Sequence, residues 1–197
     1  IALILFSYRK DIALIKGQEI ELQIESLGFG AKGVARTDDF VVFVNGAIPG
    51  EKVLARIQKK KKNHGEAKIV KVLEKSPFYV KPVCQHFGDC GGCAVQHFDY
   101  QEQIKAKTVQ VGDVLRKLGG LSDFEVLPTL ASPDVFHYRN KMEFSFSRDR
   151  WITQREIDSI GSIERSYCFL GMHAKGFFEK VGDLQECYLV NPIAAKI

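Results

Sequence analysis

Three cysteines and two histidines lie within one short stretch of this chain, from Cys84 to His97. The cysteines Cys84, Cys90 and Cys93 follow a C-x5-C-x2-C pattern, with two glycines between the last pair. Thiolates are soft ligands that suit zinc or iron–sulfur clusters, and paired glycines let the backbone wrap tightly around such a group. The loop therefore predicts an iron–sulfur cluster, a zinc site, a redox-active cysteine pair or a chance gathering of buried thiols.

The spacing favours an iron–sulfur cluster among these alternatives and leaves the others open. Structural zinc sites are more often built from two short-spaced ligand pairs, and a second pair is missing here. His86 and His97 are nevertheless available as nitrogen ligands for zinc. A redox pair at Cys90 and Cys93 would need a strand-to-helix setting, which the loop lacks.

The composition indicates a chain that can build its core without a metal or disulfides. It has 197 residues, of which 45% are hydrophobic, enough for one large or two small domains. Five cysteines at uneven spacing make a secreted disulfide framework a poor interpretation. The N-terminal segment, residues 1–16, contains IALILF, which is too short to span a membrane and lacks the features of a secretory signal. We therefore expect a cytoplasmic protein without membrane contact, and no sequence feature indicates an obligate protein partner.

Residues 17–75 carry short alternating segments separated by turn signals. In QEIELQIESL the apolar residues Ile20, Leu22 and Ile24 alternate with polar ones, which is typical of a half-buried strand. The glycine-rich GFGAKGVA suits a bend or bulge that exposes Phe29. Five strands in so short a segment, without a helix, predict a small closed barrel of the OB type. Such barrels often bind single-stranded nucleic acid through aromatic stacking on a basic face.

The charge of the chain is only mildly basic, and its distribution is more informative than its sum. The formal net charge is +4, less than the excess that marks a strong nucleic-acid binder. Four consecutive lysines, Lys59 to Lys62, precede Asn63, His64 and Gly65. This run is either a solvated hairpin tip or a loop that contacts phosphates and releases their counterions.

One well-marked helix follows the cysteine loop within residues 76–121. Asp99 is its predicted N-cap, with Glu102 completing a capping box, and Gly119 and Gly120 terminate it. One face carries apolar residues at helical spacing: Tyr100, Ile104, Val111, Leu115 and Leu118. This face predicts that the helix anchors the cysteine loop to the core.

Strands return in residues 122–197, which we expect to form a small β-rich domain. FHYRNKMEFSFS alternates, with Arg139 and Lys141 on its polar face. RWITQREIDSI is compatible with a helical turn, and FLGMHAKGFFEKVGDL predicts a hairpin that turns at residues 174–176. The chain is thus expected to be mainly β with some α: an OB-type barrel, a cysteine loop with its helix, and a small antiparallel β-rich α+β domain.

The order of these features resembles the N-terminal half of the RNA uridine-5 methyltransferases, the S-adenosylmethionine-dependent enzymes that make 5-methyluridine in 23S ribosomal RNA or in transfer RNA. The resemblance rests on the barrel and on VCQHFGDCGGCAVQHFDYQEQIKAK, HYRNKMEFSFS and FLGMHAKGFFEKVGDLQEC, and it covers nearly the whole chain from about Gly17. It implies that the barrel is similar to a TRAM domain. It also implies that a 4Fe–4S cluster is held by the matching cysteines, Cys84, Cys90, Cys93 and Cys187.

The resemblance further implies a part that this chain lacks. In the family, the methyltransferase domain follows the fourth cysteine and contains the nucleophilic cysteine and the carboxylate that removes the C5 proton. This chain continues for only ten residues beyond Cys187, whereas a Rossmann-like domain needs many more. We therefore expect the C-terminal methyltransferase domain to be absent, S-adenosylmethionine to bind only the full-length enzyme, and this chain alone to be inactive.

The candidate RNA contacts combine cationic and aromatic side chains, because cations hold phosphates and exposed rings stack on unpaired bases. They are Phe29, Lys59, Lys60, Lys61, Lys62, Arg139 and Lys141. An ordinary polar strand face is the competing interpretation for Arg139 and Lys141. Ribosomal RNA is the expected partner, with transfer RNA as the alternative. Two rival functions stay open, a stand-alone RNA-binding module and a zinc-stabilised barrel for protein contacts.

The fourth cluster ligand is either Cys168 or Cys187, since both lie far from the first three cysteines. Cys168 lies in SYCFLGMH, where a strand entering the core would bury its thiol as a small apolar group. Cys187 follows the predicted hairpin, where a ligand can reach the cysteine loop without breaking a strand ladder. Together with the family resemblance, this position favours Cys187.

Overall fold

The computed structural model describes residues 14–37, 40–159 and 167–194. The chain divides into two compact units. The barrel unit consists of Ile1–Gly28 and Lys32–Ser76, and the cysteine unit consists of Phe29–Ala31 and Pro77–Ile197. Most of the regular structure is strand, which confirms the mainly β class.

Six strands build the barrel unit: β1 (Glu19–Gln23), β2 (Ser26–Gly28), β3 (Lys32–Thr37), β4 (Phe40–Asn45), β5 (Lys52–Lys60) and β6 (His64–Glu74). They pair in the order β1-β5-β6-β4-β3-β2, and all the pairs are antiparallel except β4 with β6. Only Ile24 and Glu25 separate β1 from β2, and their amides donate to Glu51 O at 2.8 Å and Val34 O at 2.9 Å. One bent strand thus forms both edges of a curled sheet, which confirms the predicted OB-type barrel.

The core of the barrel unit is made by the inward-facing residues of the alternating strands. The buried cluster contains Leu22, Ile24, Ala35, Val42, Val44, Ala47, Val53, Ala55, Ile57 and Ala67. Gly33 marks a close approach of two backbones, because a Cβ there would lie 2.9 Å from the carbonyl oxygen of Ala47. Glu51 is buried beside this core and accepts the Ile48 amide at 3.0 Å, and burial raises the pKa of its carboxyl.

The helix of the cysteine unit, α1 (Tyr100–Lys117), begins where the sequence predicts it to begin. The carboxylate of Asp99 accepts the amides of Gln101 at 2.9 Å and Glu102 at 3.3 Å, which satisfies two donors of the first turn. The capping box is incomplete, because the Asp99 amide donates to Phe78 O and the Glu102 carboxylate pairs with Lys105. Beyond the helix, Gly120 takes a positive φ of 64° and turns the chain away.

The apolar face predicted for α1 is partly buried within the described residues. Gly112 is the buried residue of the helix, whereas Val111 and Leu118 on the predicted face are exposed. This side of the helix contacts the irregular segment 124–132, through a Thr108–Thr129 hydroxyl hydrogen bond of 2.8 Å and through the Ser132 amide, which donates to the Tyr100 hydroxyl at 2.8 Å. Amphipathicity predicted the helix correctly, but it did not identify what the helix packs against.

A small antiparallel sheet follows, in the order β7-β8-β9. Its strands are β7 (Ser145–Asp149), β8 (Tyr167–His173) and β9 (Val181–Asp183), and α2 (Gln154–Ser159) lies between β7 and β8 in the chain. The β8–β9 hairpin turns as predicted, with Gly176 at a positive φ of 82°. The strand predicted for FHYRNKMEFSFS is wrong before Ser145: His137 takes a positive φ of 57°, and Arg139 forms an isolated bridge with Val190.

Two further expectations concern Cys168 and the IALILF segment. The prediction of a buried Cys168 thiol is wrong: the residue lies in β8 but is exposed, with a positive φ of 61°. IALILF lies outside the described residues. Among those that are described, no helix is both long and apolar enough to cross a membrane.

Candidate metal centre and RNA-binding surface

The cysteine loop is a series of tight turns held by backbone hydrogen bonds. The amide of Phe87 donates to Cys84 O at 3.2 Å, and that of Cys90 donates to His86 O at 2.9 Å. The Gly91 amide crosses to His173 O in β8 at 3.0 Å. A Cβ at position 91 would lie 2.9 Å from that same oxygen, so a glycine is required for this contact. The loop is therefore fixed against the β8–β9 hairpin.

The four cysteines predicted as ligands line one cavity of about 20 Å³. They are Cys84, Cys90, Cys93 and Cys187, and all four are free thiols. Three of them come from the loop, while Cys187 follows β9, so the fold brings two distant segments together. Side chains of Phe87, Met172 and Leu189 form part of the apolar lining.

Gln96 and a glycine amide hold the loop thiols in place. The Gln96 side-chain oxygen accepts the Cys84 amide at 2.9 Å, and its Nε2 lies 3.8 Å from Cys93 Sγ. The Gly92 amide donates to Cys90 Sγ at 3.3 Å. Amide donors of this kind also stabilise thiolate sulfur, because they place a positive dipole beside the developing charge.

Burial and mutual proximity raise the pKa values of the three loop thiols and so keep them protonated in the absence of a metal. Burial raises the pKa of the Cys93 thiol to about 11, and Cys90 and Cys84 add to the rise. Burial likewise raises the pKa values of Cys84 and Cys90. The positive charge of Arg139 opposes this rise in the pKa of Cys93. Metal binding at these positions must therefore release protons.

The donor chemistry fits an iron–sulfur cluster better than it fits the alternatives, but the geometry is not that of a preformed metal site. Within the described residues, no group of three or more His, Cys, Asp or Glu side chains is arranged to hold a metal ion. The histidines already have structural contacts: His86 Nε2 accepts the Gln185 amide at 3.1 Å, and the buried His97 ring packs 5.0 Å from that of Phe87. The cluster therefore stays a prediction.

The lysine run forms the exposed tip of the β5–β6 hairpin in the barrel unit. Lys59 and Lys60 end β5, and the Lys61 amide donates to His64 O at 2.8 Å to close the turn. All four lysines, Lys59 to Lys62, are exposed, and no carboxylate of the described residues forms a salt bridge with any of them. The tip therefore presents four uncompensated positive charges to solvent.

The other predicted RNA contacts have different surroundings. Phe29 is 88% exposed, as the glycine-rich turn predicts. Lys141 pairs with Glu143 at 2.8 Å, which offsets its charge. The Arg139 guanidinium lies 3.6 Å from the Met142 sulfur, and its amide donates to Leu189 O at 2.9 Å. The Arg139 backbone thus pairs with the segment after Cys187 in an isolated bridge to Val190, rather than with a regular strand.

Sequence reasoning missed a larger cleft of about 380 Å³ beside the cysteine cavity. Trp151 lines it, as does an ion pair between Arg150 and Glu156. Burial opposes ionisation of Glu156, yet hydrogen bonds from Thr153 and Arg150 hold the pKa of this carboxyl below its usual value. The T-x-x-E pattern of Thr153 and Glu156 is a capping-box signal in the sequence and could have located this corner.

Comparison with known proteins supports the resemblance seen in the sequence. The TRAM domain family matches residues 14–70. An uncharacterized RNA methyltransferase of Chlorobaculum tepidum is 44% identical over 185 residues, covering 93% of this chain and 38% of that protein. An uncharacterized RNA methyltransferase of Clostridium tetani is 39% identical over 180 residues, covering 91% of this chain and 36% of that protein.

A solved structure shares the fold. The crystal structure of the Pyrococcus abyssi tRNA (uracil-54, C5)-methyltransferase with S-adenosyl-L-homocysteine matches with a TM-score of 0.51 and 24% identity, covering 89% of this chain and 34% of that one. The chain thus spans less than two fifths of the length of these relatives. The matches confirm the resemblance: the chain carries a TRAM domain and is homologous to part of the RNA methyltransferases.

Proposed function

We propose that this chain is the RNA-recognition and iron–sulfur portion of an S-adenosylmethionine-dependent RNA (uracil-C5) methyltransferase. The observation that carries the proposal is the 44% identity to an RNA methyltransferase across 93% of the chain. The uracil-C5 position is supported by the cysteine-loop resemblance and by the fold shared with a tRNA (uracil-54, C5)-methyltransferase. We place the activity on ribosomal RNA, with transfer RNA as the alternative, and in the cytoplasm, where free thiols persist.

In this proposal, Cys84, Cys90, Cys93 and Cys187 hold a 4Fe–4S cluster. Their convergence on one cavity supports the ligand set, as do the amide donors to sulfur. The cluster would cross-link two segments that lie far apart in the sequence, because binding a metal group stabilises whichever fold brings its ligands together. The residues of this chain would orient the thiolates and exclude water through the apolar lining of the cavity.

RNA binding is assigned first to the barrel unit. The TRAM domain match and the uncompensated charges of Lys59 to Lys62 support this assignment. Each lysine near the RNA backbone releases condensed counterions, which provides affinity without sequence preference. In the cysteine unit, the exposed Phe29 ring adds a flat surface for a base. Arg139 and Lys141 remain part of the proposed contact set, although Lys141 must first give up its Glu143 partner.

Methyl transfer itself is assigned to residues outside this chain. The relatives are more than twice as long as the region they share with it. The methyl donor, the nucleophile and the base would belong to their remaining part, as the family resemblance implies. We therefore expect the 197-residue chain to bind RNA and to transfer no methyl group.

The test combines three measurements on the purified chain after anaerobic reconstitution. Binding to 23S ribosomal RNA fragments and to transfer RNA is measured by fluorescence anisotropy, and methyl transfer is measured with labelled S-adenosylmethionine. The full-length Chlorobaculum tepidum relative serves as the control for methyl transfer. Metal analysis should find iron and sulfide. One zinc per chain would instead support the zinc-stabilised barrel, and methyl transfer by this chain alone would refute the division of roles.

A further inference from the structure

The tip of the β8–β9 hairpin carries two adjacent aromatic side chains that the functions above do not use. Phe178 is 85% exposed and Phe177 is 52% exposed. Exposed neighbouring rings of this size cost free energy in water unless something covers them. Their surroundings indicate what kind of partner fits.

Phe178 is held flat rather than left free. Its ring stacks on that of His173, with centroids 4.9 Å apart and an angle of 11° between the planes. His173 is itself fixed, because its Nε2 lies 2.9 Å from the Ser145 hydroxyl on β7. One face of the Phe178 ring is therefore covered by His173, and the high exposure of the residue leaves the opposite face open to solvent.

The hairpin tip also carries positive charge. Lys180 Nζ lies 4.0 Å from the centroid of the Phe177 ring and 5.8 Å from that of Trp151. Lys175 is exposed on the same turn, and Glu179 is the acidic residue between them in the sequence. Flat rings beside cationic side chains suit an anionic partner that has flat aromatic groups of its own.

Backbone hydrogen bonds keep the tip in place. Ala174 donates to Lys180 O at 2.7 Å across the turn, and Lys175 donates to Asp89 O of the cysteine loop at 3.0 Å. The Gly91 amide of that loop donates to His173 O at 3.0 Å. The platform is therefore built before any partner arrives, so binding it costs little ordering entropy.

We propose that Phe178, Phe177 and Lys180 form a stacking platform for unpaired bases of the RNA substrate. The proposal rests on the proposed function and adds to it a contact site in the cysteine unit, separate from the lysine run. Phe178 stacks a base on its open face, while Lys180 stays near the adjoining phosphate. Stacking of this kind tolerates any base, because every base has a π-face, and it is worth roughly 5- to 150-fold in affinity per base.

The test compares two exposed phenylalanines of the cysteine unit, Phe178 at the hairpin tip and Phe146 on β7. Phe178→Ala should weaken binding of a single-stranded RNA oligonucleotide by roughly 5-fold or more, measured by anisotropy. The salt dependence should stay unchanged, because no charge is removed. Phe146→Ala is the matched control: Phe146 is 86% exposed on β7, and its ring contacts no other aromatic ring among the described residues. Phe178→Trp should retain the affinity, and circular dichroism verifies that each variant is folded.

The outcomes separate the platform from the proposed function. If the parent chain binds no RNA, both fail. If it binds RNA but Phe178→Ala behaves like Phe146→Ala, the platform is refuted and the proposed function stands. If Phe178→Ala lost as much affinity for an oligonucleotide whose bases have been removed as for the intact oligonucleotide, stacking would also be refuted. A variant that binds RNA normally but no longer associates with the catalytic part of a relative would make the tip a protein-docking surface and overturn the proposal.

Discussion

The barrel unit and the cysteine unit are each stabilised in a different way. In the barrel unit, inward-facing residues such as Val42, Val44 and Ile57 meet in one buried cluster, and a bent strand completes the hydrogen-bonded ladder. In the longer cysteine unit, buried apolar side chains are sparse among the described residues, with Phe98 and Phe169 the largest. Irregular segments make up much of that unit.

This difference indicates that apolar side chains stabilise the barrel unit, whereas the cysteines would stabilise the cysteine unit. A small barrel buries enough apolar surface to be stable from its own core. A unit with few buried side chains needs another source of stability, and cross-linking through a metal group is one that small domains commonly use. The cysteine cavity lies between the loop and the segment after β9. A cross-link at this place would add most to the stability of the unit.

The largest effect is expected for the cross-link in the cysteine unit. Cys187→Ser should abolish the brown absorbance and bound iron after anaerobic reconstitution and should unfold much of this unit, because metal binding contributes on the order of 10 kcal/mol in small domains. Cys168→Ser is the control, since its thiol is exposed on β8 and does not line the cavity. The opposite pattern would reverse the assignment, and no effect of either change would refute the cluster.

An intermediate effect is expected for the core of the barrel unit. Ile57→Ala removes most of a fully buried side chain and should cost about 2–5 kcal/mol in the free energy of unfolding, while Ile57→Val should cost about 0.5–1.5 kcal/mol. Chemical denaturation of this unit measures both. The absorbance of the reconstituted cluster should stay unchanged in each variant. Loss of that absorbance would mean that the two units depend on one another.

The smallest effect is expected for the lysine run, which contributes to RNA binding rather than stability. Replacing Lys59 to Lys62 with alanine should weaken RNA binding similarly across sequences. It should also reduce the salt slope by up to about 0.7 for each single-strand phosphate that the lysines no longer neutralise. Replacement by arginine keeps the charge and should preserve the slope. An unchanged slope in the alanine variant would leave the run as a solvated turn, and the contrast with Phe178→Ala separates charge from stacking.

Several elements of this protein could be predicted from the sequence because short-range signals encode them. Alternation in QEIELQIESL and the following segments specified the barrel, since the side-chain period of a strand places every second residue on one face. Asp99 marked the start of α1 because a carboxylate satisfies the first helical amides locally. Gly176 marked the β8–β9 turn because it tolerates a positive φ.

Other features were decided only by tertiary structure. Alternation over residues 137–144 did not produce a strand. His137 takes a positive φ of 57°, and Arg139 forms an isolated bridge with Val190 instead of a continuous ladder. The apolar face of α1 could not reveal that the described residues leave Val111 and Leu118 exposed, since periodicity shows a face but not what covers it.

In the functional sites, too, the sequence predicts local features, and tertiary structure decides the contacts between distant segments. The spacing of Cys84, Cys90 and Cys93 predicts a ligand loop, but the convergence with Cys187 depends on a hairpin that carries the chain back to that loop. The stack of Phe178 on His173 likewise arises across a turn, between residues whose spacing fits no helical or strand period. Local chemistry is readable from neighbouring residues, whereas contacts between distant segments depend on the path the folded chain takes between them.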